Sequence, residues 1–80
     1  MNEEKRSVEL CQDIVATRVA QMIAERDNIA PTEALRRLMM TQTYGLLLDA
    51  ESYLHLESAE YTLDMYDAEQ RGDWERWMEV

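Results

Sequence analysis

Apolar residues near the start of the chain recur at steps of three and four. Val8, Cys11, Val15, Val19 and Met22 follow that spacing, with Ile14 and Ile23 beside them. On a helical wheel these seven fall on one side, as in an amphipathic helix with one face turned to a core. The pattern predicts a long helix over residues 3–27. Arg18 lies inside the same arc. Either its stem packs while the guanidinium reaches the core edge, or it forms a buried pair with a carboxylate from later in the chain. Asp27-Asn28 supplies the stop, because Asn tolerates the left-handed conformation that ends helices. Ile29 is then expected to anchor the connection inward.

Pro31 suits the first position of a second helix over residues 31–40, and Glu33 suits the positive end of its dipole. Leu35, Leu38 and Met39 are predicted to face inward, and Arg36 and Arg37 outward. Thr41 or Thr43 is placed to cap a third helix reaching about Ala50, with Tyr44, Leu47 and Leu48 on one face. Gly45 inside that helix costs about 1 kcal/mol relative to Ala, so it marks a close helix contact or a frayed start. The run Tyr53-Leu54-His55-Leu56 either continues the helix or alternates as an extended connector with Leu54 and Leu56 inward, and the connector is the favoured reading. Ser58 is an N-cap for a fourth helix ending near Arg71, with Gly72 just beyond. Tyr61, Met65 and Ala68 form one stripe on it, and Leu63 with Tyr66 a second. Asp73 is placed to cap a last short helix carrying Trp74, Trp77 and Met78, which must pack to be stable.

These elements make a single all-α domain over residues 1–80, a small four- to five-helix domain with a long N-terminal helix. Composition agrees: 46% of residues are hydrophobic, and only two Gly and one Pro interrupt good helix formers. At this size the core is marginal. Cys11 is the one cysteine, so no intramolecular disulfide forms, and on the apolar stripe it reads as a small buried hydrophobe. The opening MNEEKRSVEL is too polar for a signal peptide, and no apolar run approaches the length of a membrane span. The expected location is therefore the cytoplasm.

Charge changes the picture most. Residues 49–80 hold ten carboxylates against Arg71 and Arg76, whereas residues 1–48 are nearly balanced, so most of the net −9 sits at one end. The same end carries Tyr53, Tyr61, Tyr66, Trp74 and Trp77. Such a surface repels nucleic acid and membranes and favours a basic partner. The basic residues occur as isolated pairs, Lys5-Arg6 and Arg36-Arg37, too few for phosphate binding. Glu60, Asp64, Asp67 and Glu69, with Trp74 and Trp77 as aromatic anchors, are the expected partner-binding residues.

Catalytic and metal chemistry find little support. His55 is the only histidine, and nothing in the spacing puts it beside Ser52, Ser58 or Cys11. It reads as a solvated surface residue. On a continuous helix Glu51 and His55 would share a face and offer two metal ligands, short of the three or four a site needs. Glu60, Asp64 and Asp67 lack the glycine-containing calcium loop. No phosphate-binding glycine loop is present. The chain is accordingly expected to be no enzyme and to need no metal or cofactor.

One stretch has a familiar layout. Thr43-Tyr44-Gly45-Leu46-Leu47-Leu48-Asp49, then Glu51-Ser52-Tyr53-Leu54, Glu57-Ser58-Ala59-Glu60-Tyr61 and Glu69, resembles a family of small uncharacterised bacterial all-helical proteins. The resemblance spans most of residues 8–70. Some members are encoded beside ADP-ribosyltransferase-like or other toxin-like genes, which implies an accessory or antitoxin-like role. The family lends no catalytic residues. Ala30 stands where a small polar cap usually precedes the proline.

The leading expectation is a non-enzymatic interaction module whose acidic, aromatic C-terminal half binds a basic protein in the manner of an antitoxin or inhibitor. Self-association as a homodimer through helix one is the alternative, since a short chain gains core by pairing. A small metal-binding protein or enzyme using Glu51 and His55 is the third.

Overall fold

The computed structural model describes residues 2–75, and Trp77 and the other four C-terminal residues lie outside them. Among the described residues the fold is all-helical, with no strand. Four α-helices run α1 Asn2–Asp27, α2 Pro31–Met39, α3 Gln42–Leu47 and α4 Ala59–Gln70. Two single 3-10 turns, Ala50–Ser52 and Leu54–Leu56, join α3 to α4. The molecule is a slab of 39 × 32 × 19 Å, and α1 is its long edge. The other elements pack against α1, chiefly α2 and α4.

Helix ends follow local chemistry. Asn28 takes the left-handed conformation at φ 54°, and the Ile29 N–H donates to the Ala24 carbonyl at 3.1 Å. That is the six-to-one bond of a Schellman stop, and Ile29 packs on the core behind it. Pro31 starts α2 with Ala30 at its cap, which supplies no side-chain bond. Thr41, rather than Thr43, caps α3: its Oγ1 accepts from the Tyr44 N–H at 3.1 Å. Ser58 caps α4 by accepting from the Tyr61 N–H at 3.1 Å. Gly72, at φ 81°, ends α4 with both Schellman bonds, from its own N–H to Glu69 and from the Asp73 N–H to Ala68.

The core differs from the predicted stripe. On α1 the buried residues are Gln12, Val15, Ala16, Val19, Ala20, Ile23 and Ala24. Ile14 is 58% exposed and Leu10 60% exposed, while Val8, Cys11 and Met22 are half-buried. The buried face is thus rotated toward the alanines. The face that packs on α2 and α4 sets Ala16, Ala20 and Ala24 between Val15, Val19 and Ile23, and Ile14 is left on the outer side. Arg18 is exposed and enters no ion pair among the described residues. On α2, Ala34 and Leu38 are buried, Leu35 is half-buried and Met39 is exposed. On α4 the buried set is Thr62, Met65, Tyr66 and Ala68, so Tyr61 faces out while Met65 and Ala68 face in.

The connector is neither extended nor a continued helix. Tyr53 sits in the left-handed region at φ 58°, which separates the two 3-10 turns. The tight turn sends Leu54 and His55 inward and leaves Leu56 exposed. An extended strand would have turned Leu54 and Leu56 to the same side.

Gly45 is exposed, with nothing within 4 Å of the position a Cβ would take. No close contact requires it, and its φ is not positive. Gly45→Ala is therefore expected to stabilise the domain by about 1 kcal/mol through helix propensity and a less flexible unfolded chain. Urea denaturation of both proteins measures this, and an unchanged or lower midpoint would show that α3 needs the glycine.

Candidate functional site

The acidic residues of α4 divide by face. Glu60, Asp64 and Asp67 follow one another at steps of four and three, so they share a side of the helix. Glu69 projects from the opposite side, where α3 lies. Each of the predicted partner-binding residues on this helix has a distinct environment.

Glu69 is bound to α3. Its carboxylate accepts from the Gln42 N–H at 2.8 Å, the Thr43 N–H at 2.9 Å and the Thr43 hydroxyl at 2.7 Å. These are the orphan donors at the start of a six-residue helix too short to persist alone. A carboxylate there gains charge-assisted hydrogen bonds and a favourable helix dipole. Thr43 is fully buried by the same contact.

Asp67 is bound to α1. Arg26 donates through one Nη1 to both Asp67 oxygens at 2.9 and 2.7 Å, and through Nε to Asp27 at 3.0 Å. Asp27 first, and then Asp67, raises the Arg26 guanidinium further above its already high range, while Arg26 holds the Asp27 carboxyl below its usual value. Tyr66 lies beside this group, and burial pushes its phenol up. On α2, Glu33 accepts from Arg36 at 2.8 Å and from Arg37 at 3.1 Å, and these bonds lower its carboxyl. The basic pair of α2 thereby shares one carboxylate within its own helix, which leaves the group a net charge of +1. Arg71 pairs with Asp73 at 3.5 Å.

Glu60 and Asp64 remain exposed, with no ion pair among the described residues. Glu57, just before the Ser58 cap, is exposed beside them. Along the same stretch stand exposed Tyr53 and Tyr61, which the sequence already places on the acidic, aromatic end, and Leu56, at 69% exposure, which it placed inward. No sequence signal marked Leu56 as exposed, because its outward position follows from the left-handed backbone of Tyr53. Trp74 is half-buried against the core and lines a hollow of about 320 Å³ with Gln42, Glu69, Gly72 and Glu75. Trp77 lies outside the described residues.

His55 is 9% exposed, not solvated, and its ring lies 6.5 Å from that of Tyr53. Its Nδ1 is buried without a hydrogen-bond partner among the described residues. Glu51 and His55 sit on separate turns and so do not share a helical face. Among the described residues, no three of His, Cys, Asp and Glu are grouped to hold a metal ion. No helix among them is long and apolar enough to cross a membrane.

Searches against protein-family models, curated proteins and solved structures find no match to this chain.

Two outcomes follow from this charge arrangement. Glu69→Ala is expected to cost about 2 kcal/mol of stability by orphaning the start of α3, with Glu69→Gln between it and the native protein. Denaturation midpoints check both, and equal midpoints for all three would show the cap to be idle. Asp27 and Glu33 have folded-state values below their unfolded ones, so the stability they contribute is present above the ordinary carboxylate range and is lost as pH falls through the depressed values. The domain should therefore weaken below about pH 4. Because these groups are exposed, the effect should shrink in high salt, as melting curves in dilute and concentrated salt would show.

Proposed function

We propose that the protein is a non-enzymatic interaction module that binds a basic protein, and that its contact surface runs from Tyr53 to Asp64. The observation that carries this reading is the set Glu57, Glu60 and Asp64, exposed and without ion pairs among the described residues, interleaved with exposed Tyr53, Leu56 and Tyr61. Carboxylates steer a cationic partner and set its orientation, while tyrosine and leucine supply area that is desolvated on contact. A basic amphipathic segment, with Lys or Arg beside apolar residues, has the matching chemistry.

Asp67 and Glu69 support the surface from within rather than touching the partner, since one holds α4 to α1 and the other holds α3 to α4. Trp74 belongs to the edge of the core. An antitoxin-like or inhibitor-like role is the concrete form of this reading, and the resemblance of most of residues 8–70 to small bacterial helical proteins points the same way.

The test uses the triple variant Glu57→Gln, Glu60→Gln, Asp64→Asn. It should stay folded with a melting temperature close to native, because the three make no ion pair among the described residues and Glu60, in the first turn of α4, contributes only its weak dipole interaction. Proteins from the source cell that the native chain captures at low salt should be released by added salt and lost from the variant. With a purified partner, the variant should associate roughly tenfold more slowly, as expected for loss of steering charge. Leu56→Ala should instead speed dissociation. A partner held equally by native and triple-variant protein at every salt concentration would overturn the reading.

A further inference from the structure

The exposed side of α1 carries a second pattern, independent of the acidic face. Ser7, Leu10, Ile14, Thr17 and Gln21 are all exposed and follow one another at steps of three, four, three and four. That is a heptad stripe, with Ser7, Ile14 and Gln21 at the a positions and Leu10 and Thr17 at the d positions. Leu10 and Ile14 are the large apolar residues that α1 leaves most exposed. The face opposite them, Gln12, Val15, Val19 and Ile23, is already buried in the domain.

We propose that this stripe is the seam of a parallel two-stranded dimer with a second copy of the chain. Two observations select that occupant. The first is side-chain shape: a β-branched residue at a with leucine at d, here Ile14 and Leu10, favours two parallel strands. The second is charge. Asp13 occupies a g position and Arg18 the e position five residues later, and both are exposed without an ion pair among the described residues. In a parallel pair, g of one helix meets the following e of the other. Asp13 of each copy therefore meets Arg18 of the other, and the two-fold axis makes the pair occur twice.

Antiparallel pairing of the same layers would bring Leu10 onto Ile14 but would set Asp13 against Asp13 near the axis. Its compensating pairs, Glu4 with Arg18, lie farther out toward the helix end. The surface is also shaped for contact. Asp13, Ile14, Thr17, Arg18 and Gln21 border a hollow of about 330 Å³. An apolar groove lined by Thr17, Ala20, Gln21, Pro31, Thr32 and Leu35 runs beside it. The seam stops at Ala24, the next d position, because α2 and the core already cover it. It spans Ser7 to Gln21, about 22 Å of helix. Polar Ser7, Thr17 and Gln21 keep the dimer weak while fixing its register.

Sedimentation of the native chain over a range of concentrations should show reversible monomer and dimer. Ile14→Asp and Leu10→Asp replace exposed residues, so the monomer stays folded by circular dichroism, and each should weaken association about tenfold or more. Asp13→Arg alone should weaken it, as should Arg18→Asp alone, and the double variant should restore it, because the exchanged charges meet again across the seam. Orientation is read by Ser7→Cys in a Cys11→Ser background: parallel helices bring the two introduced thiols together and oxidation links the chains. A monomer at every concentration, a dimer indifferent to Leu10 and Ile14, no rescue in the double charge variant, or failure of the Ser7→Cys link in a dimer would each overturn the proposal.

Discussion

The buried face of α1 sets alanines between β-branched residues, and the other elements pack on it. Ala16, Ala20 and Ala24 alternate with Val15, Val19 and Ile23, and α2 contributes Ala34 to the same core. Leu38 and Leu47 are fully buried, and Leu54, Met65 and Tyr66 close the remaining sides. The chain contains no phenylalanine. Aliphatic side chains, with Met65 and Tyr66, therefore make up the core, and their many small dispersion contacts add up.

Around this core the carboxylates serve two physical ends. Some are absorbed by the fold. Glu69 satisfies the backbone of α3, Asp67 reaches Arg26, and Glu33 takes up both arginines of α2. Others stay in solvent on the outer side of α4 and its approach. The lopsided charge of the chain is therefore not one surface property. Part of it is the means by which helices too short to stand alone are held, because a carboxylate at a helix start answers donors that a small protein has little backbone elsewhere to satisfy.

Four helices and most of their ends were legible in the sequence because they are written in neighbouring residues, although α3 stops at Leu47 rather than near Ala50. Asn28, Pro31, Ser58 and Gly72 each act on bonds within a few positions of themselves. The buried side of α1 was less legible because apolar residues lie on both sides, with Leu10 and Ile14 on one and Val19 and Ile23 on the other. Only the identity of the neighbouring helix decides between them. His55 was misread for a related reason: its burial depends on Tyr53 adopting a left-handed backbone, which nothing in the residue type of a tyrosine announces. Glu69 and Asp67 stood out as negative charge, but their partners lie 26 and 41 residues away, beyond the reach of any local pattern. The exposed pair Glu60 and Asp64 was visible from spacing alone, whereas Leu56 required the turn geometry.

A slab only 19 Å thick is two helices deep. No element in it is wholly interior, so each helix has one side in the core and one in water. Every helix therefore has an outer face open to a partner, and binding there is linked to folding by mass action, as in any protein whose ligand binds the native chain alone. Any molecule that settles on an outer face adds a third layer to a two-layer body, favours the folded chain over the unfolded, and raises its apparent stability by an amount set by its own concentration relative to its affinity. Thermal shift thus becomes a readout of occupancy for this domain, whichever of its faces is covered.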